Sequence, residues 1–162
     1  MSILSIPSQQ SFAGLVRELE QDEVGRWRDL SESVGARLLP VLEDIITSLP
    51  SSTVAMVCTA DGFNLCALGL EESQVDRVCA MASSLYSVAG AATAATGDGG
   101  QEAMNMVTLS HGEQSTVVMS VQGLPLGPAL LWVTGQRESL GAIIYRTREA
   151  AGRMPQTLSG QG

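Results

Sequence analysis

Between residues 54 and 154 the chain alternates apolar stretches of two-residue period with stretches of helical period, in the order strand, strand, helix, strand, strand, strand, helix. This order limits the architecture, because short turns join strands only as antiparallel neighbours and few helices are left to cover five strands. Asp61-Gly62 marks the first tight turn, since glycine reaches the positive φ that a two-residue hairpin loop needs. It separates predicted strands at 54–59 and 63–68. Both alternating sets of the first strand are apolar (Val54, Met56 and Cys58 against Ala55 and Val57), so the sheet is expected to be covered on both faces.

After this hairpin, Glu71 and Glu72 suit the positive end of a helix dipole, and the helix is expected to run to about residue 95. Val75, Val78, Ala82, Leu85 and Ala89 form its main apolar stripe. Beside it lies a second stripe of short side chains, Ala80, Ser83, Ser84, Ser87 and Ala91, which lets another backbone come close. Either a second copy of the helix or the N-terminal helix of the same chain would fill that space. Thr96-Gly97-Asp98-Gly99-Gly100 breaks the helix, and three strands follow at about 103–110, 115–121 and 128–134. Leu140, Ile143, Ile144, Thr147, Ala151 and Met154 mark one face of a last helix.

Upstream, Phe12, Leu15, Val16, Leu19, Trp27 and Leu30 recur at helical steps, with Glu18, Glu20, Asp22 and Glu23 on the other face. This predicts an amphipathic helix from Ser11, frayed near Gly25. Leu38, Leu39, Val41, Leu42, Ile45, Ile46 and Leu49 form another apolar stripe, but Pro40 inside it either opens a new helix or kinks a longer one. The preferred reading is a helix over 40–48, closed by Pro50. The expected organisation is an N-terminal extension (1–37), one domain (38–154) and a disordered tail (155–162).

Composition narrows the function. Hydrophobic residues make up 44% of the chain and charged residues 16%, which suggests an apolar face buried between subunits. All nine basic residues are arginine. Without lysine there is no P-loop lysine, Schiff-base amine or Ser-Lys dyad, so the chain is not itself a nucleotide-hydrolysing P-loop enzyme. A net charge of -8 without a basic patch argues against nucleic acid and anionic membrane surfaces. The N-terminus lacks the pattern of an export signal and no apolar run approaches about 18 residues, so a cytoplasmic location without membrane insertion is expected. Cys58, Cys66 and Cys79 show no metal or redox spacing and read as buried thiols of a reducing compartment. Cys58 and Cys66 would oppose each other only across a three-residue loop; a two-residue loop sets Cys58 opposite Leu65.

The remaining candidates for chemistry each have a plainer reading. His111, the only histidine, falls in a turn and reads as solvated. Gly97-Asp98-Gly99-Gly100 closes a helix, whereas a phosphate-cradling loop opens one, so it reads as a connector. Met56, Met81, Met104, Met106 and Met119 read as core filler, and the Glu18 to Glu23 cluster as a wet helix face that could also meet an arginine-rich partner. No catalytic, metal-binding or cofactor-binding residue is expected, and no cofactor.

Over residues 38–154 the chain resembles the roadblock / dynein-light-chain family. Leu38-Leu39-Pro40-Val41-Leu42-Glu43-Asp44-Ile45-Ile46, the Asp61-Gly62-Phe63 hairpin, the Ala/Ser-rich helix after Glu72, and Glu138-Ser139-Leu140-Gly141 opening the last helix carry the resemblance. It implies an α+β, profilin-like fold: a five-stranded antiparallel sheet with helices on both faces in the order α-ββ-α-βββ-α, here with an extra N-terminal helix. It also implies dimers formed through the long helix and third strand, which selects Ala80, Ser83, Ser84, Leu85, Ser87, Ala91, Met104 and Met106 as interface candidates. The implied function is that of a bacterial roadblock-type regulator, a noncatalytic partner of a small Ras-like GTPase. A structural adaptor that senses no nucleotide, or a profilin-like small-molecule sensor, is the alternative.

Overall fold

The computed structural model describes residues 12–97 and 105–160, which form α1 (Phe12–Ser48), β1 (Ser52–Thr59), β2 (Asn64–Leu68), α2 (Glu72–Thr96), β3 (Met106–His111), β4 (Gln114–Val121), β5 (Ala129–Gln136) and α3 (Leu140–Leu158). The side chains of Phe12, Leu15, Val16 and Leu19, together with Asp98-Gly99-Gly100 and Met104, lie outside the described residues. The five strands form one antiparallel sheet in the order β2-β1-β5-β4-β3. The expected element order holds, and β2 and β3 become the two edges.

Two expected helices are one. α1 runs through Pro40 for 37 residues, roughly 55 Å at the helical rise. A proline inside a helix costs about 3 kcal/mol or more by removing a hydrogen bond and crowding the preceding turn. Here Pro40 is exposed, and Ala36, whose carbonyl loses its partner, faces water too. On the opposite side Leu38, Val41, Leu42, Ile45 and Leu49 are buried. Each such burial contributes about 1.5–3 kcal/mol, enough together to carry the helix across. α3 likewise continues past the expected end at Met154, with Pro155 in its last turn and the Ser159 N–H donating to the Pro155 carbonyl. The tail expected to be disordered is therefore helical to Leu158.

The pleat divides the sheet into two unequal layers. Val57, Val117, Met119, Val121, Leu131 and Val133 point to the side where α1 and α3 lie side by side, and they form the large core with Leu38, Leu42, Ile45, Ile143, Ala150 and Met154. Arg37 Nη2 donates to the Thr157 carbonyl (3.1 Å), and Arg153 meets Asp44 (3.2 Å), tying the two helices together. Met56, Cys58, Val118 and Leu130 point the other way, where α2 packs with only Cys79 and Ala82 fully buried. α2 starts as expected: a capping box between Glu71 and Gln74 satisfies its first amides.

Close backbone approach sets one glycine position. A Cβ at Gly35 would lie 2.0 Å from the Leu65 carbonyl oxygen, so α1 can press onto β2 only with hydrogen at that position. Gly35→Ala should therefore lower stability by about 2–3 kcal/mol through overpacking, measurable by urea unfolding.

Candidate partner interface

The short-side-chain stripe of α2 divides into an internal and an exposed part. The Asp61-Gly62 turn, held by hydrogen bonds from Thr59 Oγ1 to Asp61 Oδ1 and from the Phe63 N–H to Thr59 Oγ1, curls over α2. Gly62 takes a φ of 96°, and a Cβ there would sit 3.4 Å from Ala80 Cα and 3.5 Å from Ser83 Cβ. Ser83 then donates its hydroxyl to the Ala60 carbonyl at 2.7 Å. Ser83 is thus short for an internal reason and faces its own hairpin. Ala80, Ser84, Ser87 and Ala91 remain exposed.

Around those four residues the surface is apolar. Met81 (50% exposed), Val88 (67%) and Leu109 (41%) lie open. Arg77, Ala80, Met81, Ser84 and Leu85 of α2 form a shallow groove of about 460 Å³ with Leu109 of β3 and Trp132 of β5. Arg77 is the single charge lining it, and among the described residues it has no ion-pair partner. Trp132 is fixed from beneath: its Nε1–H donates to Thr134 Oγ1 (2.9 Å), which shares a buried hydrogen bond with Thr116 (2.8 Å).

Of the expected interface residues, the structure brings Ala80, Ser84, Ser87 and Ala91 onto one open face. Leu85 is half-buried at its base against the small core, and Ser83 turns away. Met106 does not join them. It pairs with Met119 and packs against the α1/α3 core, on the far side of the sheet from α2. It shares the edge strand but not this face, because β3 alternates and its odd-numbered residues Val107 and Leu109 are the ones directed toward α2. Met81 is exposed, contrary to the reading of every methionine as core filler, while Met56 and Met119 are buried as expected. The spacing of Met81, Ser84, Val88 and Ala91 in α2 was a readable signal for this face. The contribution of Leu109 and Trp132 was not, since it depends on where the helix lies on the sheet.

Neither α1 nor α3 reaches this side; each packs in the large core on the opposite face. α2 itself has the length and apolar composition of a membrane span. Its alanines raise its apolarity further than the expected absence of any such run allowed. Here it lies along a sheet, with serines interrupting the outer face.

His111 is exposed, as expected, but it ends β3 opposite Gln114 and does not lie within the turn itself. Cys58, Cys66 and Cys79 are free and buried. A bulge between Val57 and Cys58 sets Cys58 opposite Asn64 and Cys66 opposite Val57, so those two thiols point to opposite faces. Cys58 instead meets Cys79 of α2. Their shared hydrogen bond, followed by burial, pushes the Cys58 thiol up. Burial pushes Cys66 up to about 12. Among the described residues no group of His, Cys, Asp and Glu is placed to hold a metal ion.

No family model and no curated protein matches the sequence. Solved structures do match. The Roadblock/LC7 domain from Streptomyces avermitilis superposes with a TM-score of 0.63 at 23% identity, covering 74% of this chain and 95% of that one. The fold is that of the Roadblock/LC7 domain. Myxococcus xanthus MglB superposes at 0.65 with 12% identity, covering 79% of this chain and 92% of its own, and an MglB with tetrameric arrangement at 0.65 with 15% identity, covering 80% and 93%. At these identities the agreement is one of backbone architecture.

The buried thiols of this roadblock fold generate a testable pH dependence. A cysteine whose folded pKa is raised favours folding while the thiol is neutral in both states. That contribution is lost once the unfolded thiol ionises. For Cys66 stability should be flat below 9.0 and fall as pH rises from there toward about 12, as measured by urea unfolding, with Cys66→Ala flattening part of the decline. In the native state none of the three cysteines should react with a bulky disulfide reagent; all three should react in denaturant.

Proposed function

We propose that this protein is a noncatalytic homodimer that pairs through α2 and the β3 edge and binds a small Ras-like GTPase, modulating its nucleotide cycle or location in the cytoplasm. One observation carries the reading. Among the described residues, the outer face of α2, with Ala80, Met81, Ser84, Ser87, Val88 and Ala91, is open and apolar beside the edge strand β3. Five strands span roughly 20–24 Å, whereas a helix covers 10–12 Å. A single α2 leaves part of its sheet face uncovered, and a second α2 laid beside it would cover the rest. A two-fold axis makes that contact self-complementary: short residues meet short residues, and the apolar Leu109 edges come together.

The family resemblance supplies the GTPase. A paired-helix platform of this kind would act by preferring one arrangement of the partner's switch loops, which shifts their population. The tetrameric arrangement of one MglB structure is in keeping with self-association. Reduced, buried thiols agree with a cytoplasmic setting. On the sensor alternative, the space between α2 and the sheet is filled by Met56, Cys58, Cys79, Ala82, Val118 and Leu130, which favours a surface over an interior ligand.

Ser84→Arg places charge and bulk on the open face without touching the protomer core, so it should convert the dimer to a folded monomer in light scattering. A dimer of unchanged stability would remove α2 from the interface. Leu85→Asp should do more harm, since Leu85 also packs against the small core. For the partner, capture of a candidate Ras-like GTPase should differ between its GTP-analogue and GDP states. Equal capture in both states would leave a structural adaptor in place of a regulator.

A further inference from the structure

The apolar stripe of α1 does not end where the sheet ends. Val34, Leu38, Val41 and Ile45 are buried, but their helical continuation toward the N-terminus is uncovered: Val24 is 58% exposed, Trp27 39% and Leu30 42%. Phe63, 57% exposed in the hairpin turn, meets the Trp27 ring edge-on at 6.4 Å between centroids, so the two rings form one ledge at the end of the sheet. Next to it Glu20, Glu23, Val24 and Trp27 line a notch of about 520 Å³. Glu23 lies one turn and Glu20 two turns before Trp27, so both carboxylates stand on the apolar side of the helix rather than opposite it. Among the described residues neither is in an ion pair.

We propose that this ledge and notch dock a basic amphipathic segment of another protein, its apolar side chains lying on Trp27, Val24 and Phe63 and its cations meeting Glu20 and Glu23. Charge decides the occupant. Residues 1–11, 98–104 and 161–162 contain no arginine or lysine, so the segments of this chain outside the described residues bring no side-chain cation to the notch. A second copy would bring the wrong balance, since from Arg17 to Glu32 six carboxylates face three guanidinium groups and like-charged helices repel. A cationic helix supplies both missing parts: apolar residues at helical spacing and positive charge beside them. None of Glu20, Glu23, Val24, Trp27 and Phe63 is among the α2 residues of the proposed dimer surface.

The test uses the full chain and a labelled peptide of about 18 residues carrying Leu at helical spacing and Lys on the flanks, followed by fluorescence anisotropy. Binding should weaken with salt, and Glu20→Gln with Glu23→Gln should weaken it roughly threefold to tenfold, the range expected for two exposed ion pairs. Trp27→Ala should weaken it as well, in protein whose unfolding transition remains cooperative. Ser84→Arg should leave it unchanged. Each of four results overturns the proposal: undiminished binding to the double variant; equal binding of a peptide with Glu in place of Lys; an equal loss when Glu43→Gln and Glu72→Gln remove two charges elsewhere; or a change in the protein's own oligomeric state on Trp27→Ala, which would make a second copy the occupant.

Discussion

The width of the sheet is the constraint on which the rest of the molecule depends. Five antiparallel strands present two faces of equal area, and this chain covers one with two helices and the other with one. α1 and α3 together seal their side, where Val57, Val117, Leu131, Ile143 and Met154 are fully buried. α2 cannot match that. It buries Cys79 and Ala82 completely, and Leu85 and Tyr86 only in part, and leaves an apolar margin along β3.

From this asymmetry follow the features that set the character of the protein. The large core fixes the position of α1 so firmly that the helix passes Pro40 without ending. Having been fixed there, it carries a further stretch of apolar and acidic residues beyond the sheet, onto the ledge formed by Trp27 and Phe63. The thin layer leaves the outer α2 residues to whatever covers them. The Asp61-Gly62 turn adds a limit of its own, because its backbone needs the space that Ala80 and Ser83 leave. Short side chains therefore serve both an internal contact and an open surface within a few residues of each other.

Much of this was legible in the residues. The hairpin at Asp61-Gly62, the helix opened by Glu71 and Glu72, the three later strands and the final helix are local signals, set by turn chemistry and by apolar period over ten or so residues, and they follow one another in the expected order. The helix boundaries at Pro40 and Met154 were misplaced for one reason. Proline weakens a helix locally, but burial contributed by distant strands offset that cost, and only the fold supplies those strands. The cysteines show the same division: their burial followed from their apolar neighbours, while the bulge that separates Cys58 from Cys66 and turns Cys58 toward Cys79 is a matter of register.

The sequence by itself determined the order of elements, the exclusion of lysine chemistry and the presence of an unusually short-chained helix face, because turn propensity, composition and helical period are properties of neighbouring residues. Only the tertiary structure decided which part of that face is open. It turned Ser83 inward to the hairpin, sent Met106 to the opposite side of the sheet from Ala80 and Ser84, and brought Leu109 and Trp132 beside Met81. Whether a side chain is covered depends on the area that remote elements happen to shield, and no periodicity within one segment contains that quantity.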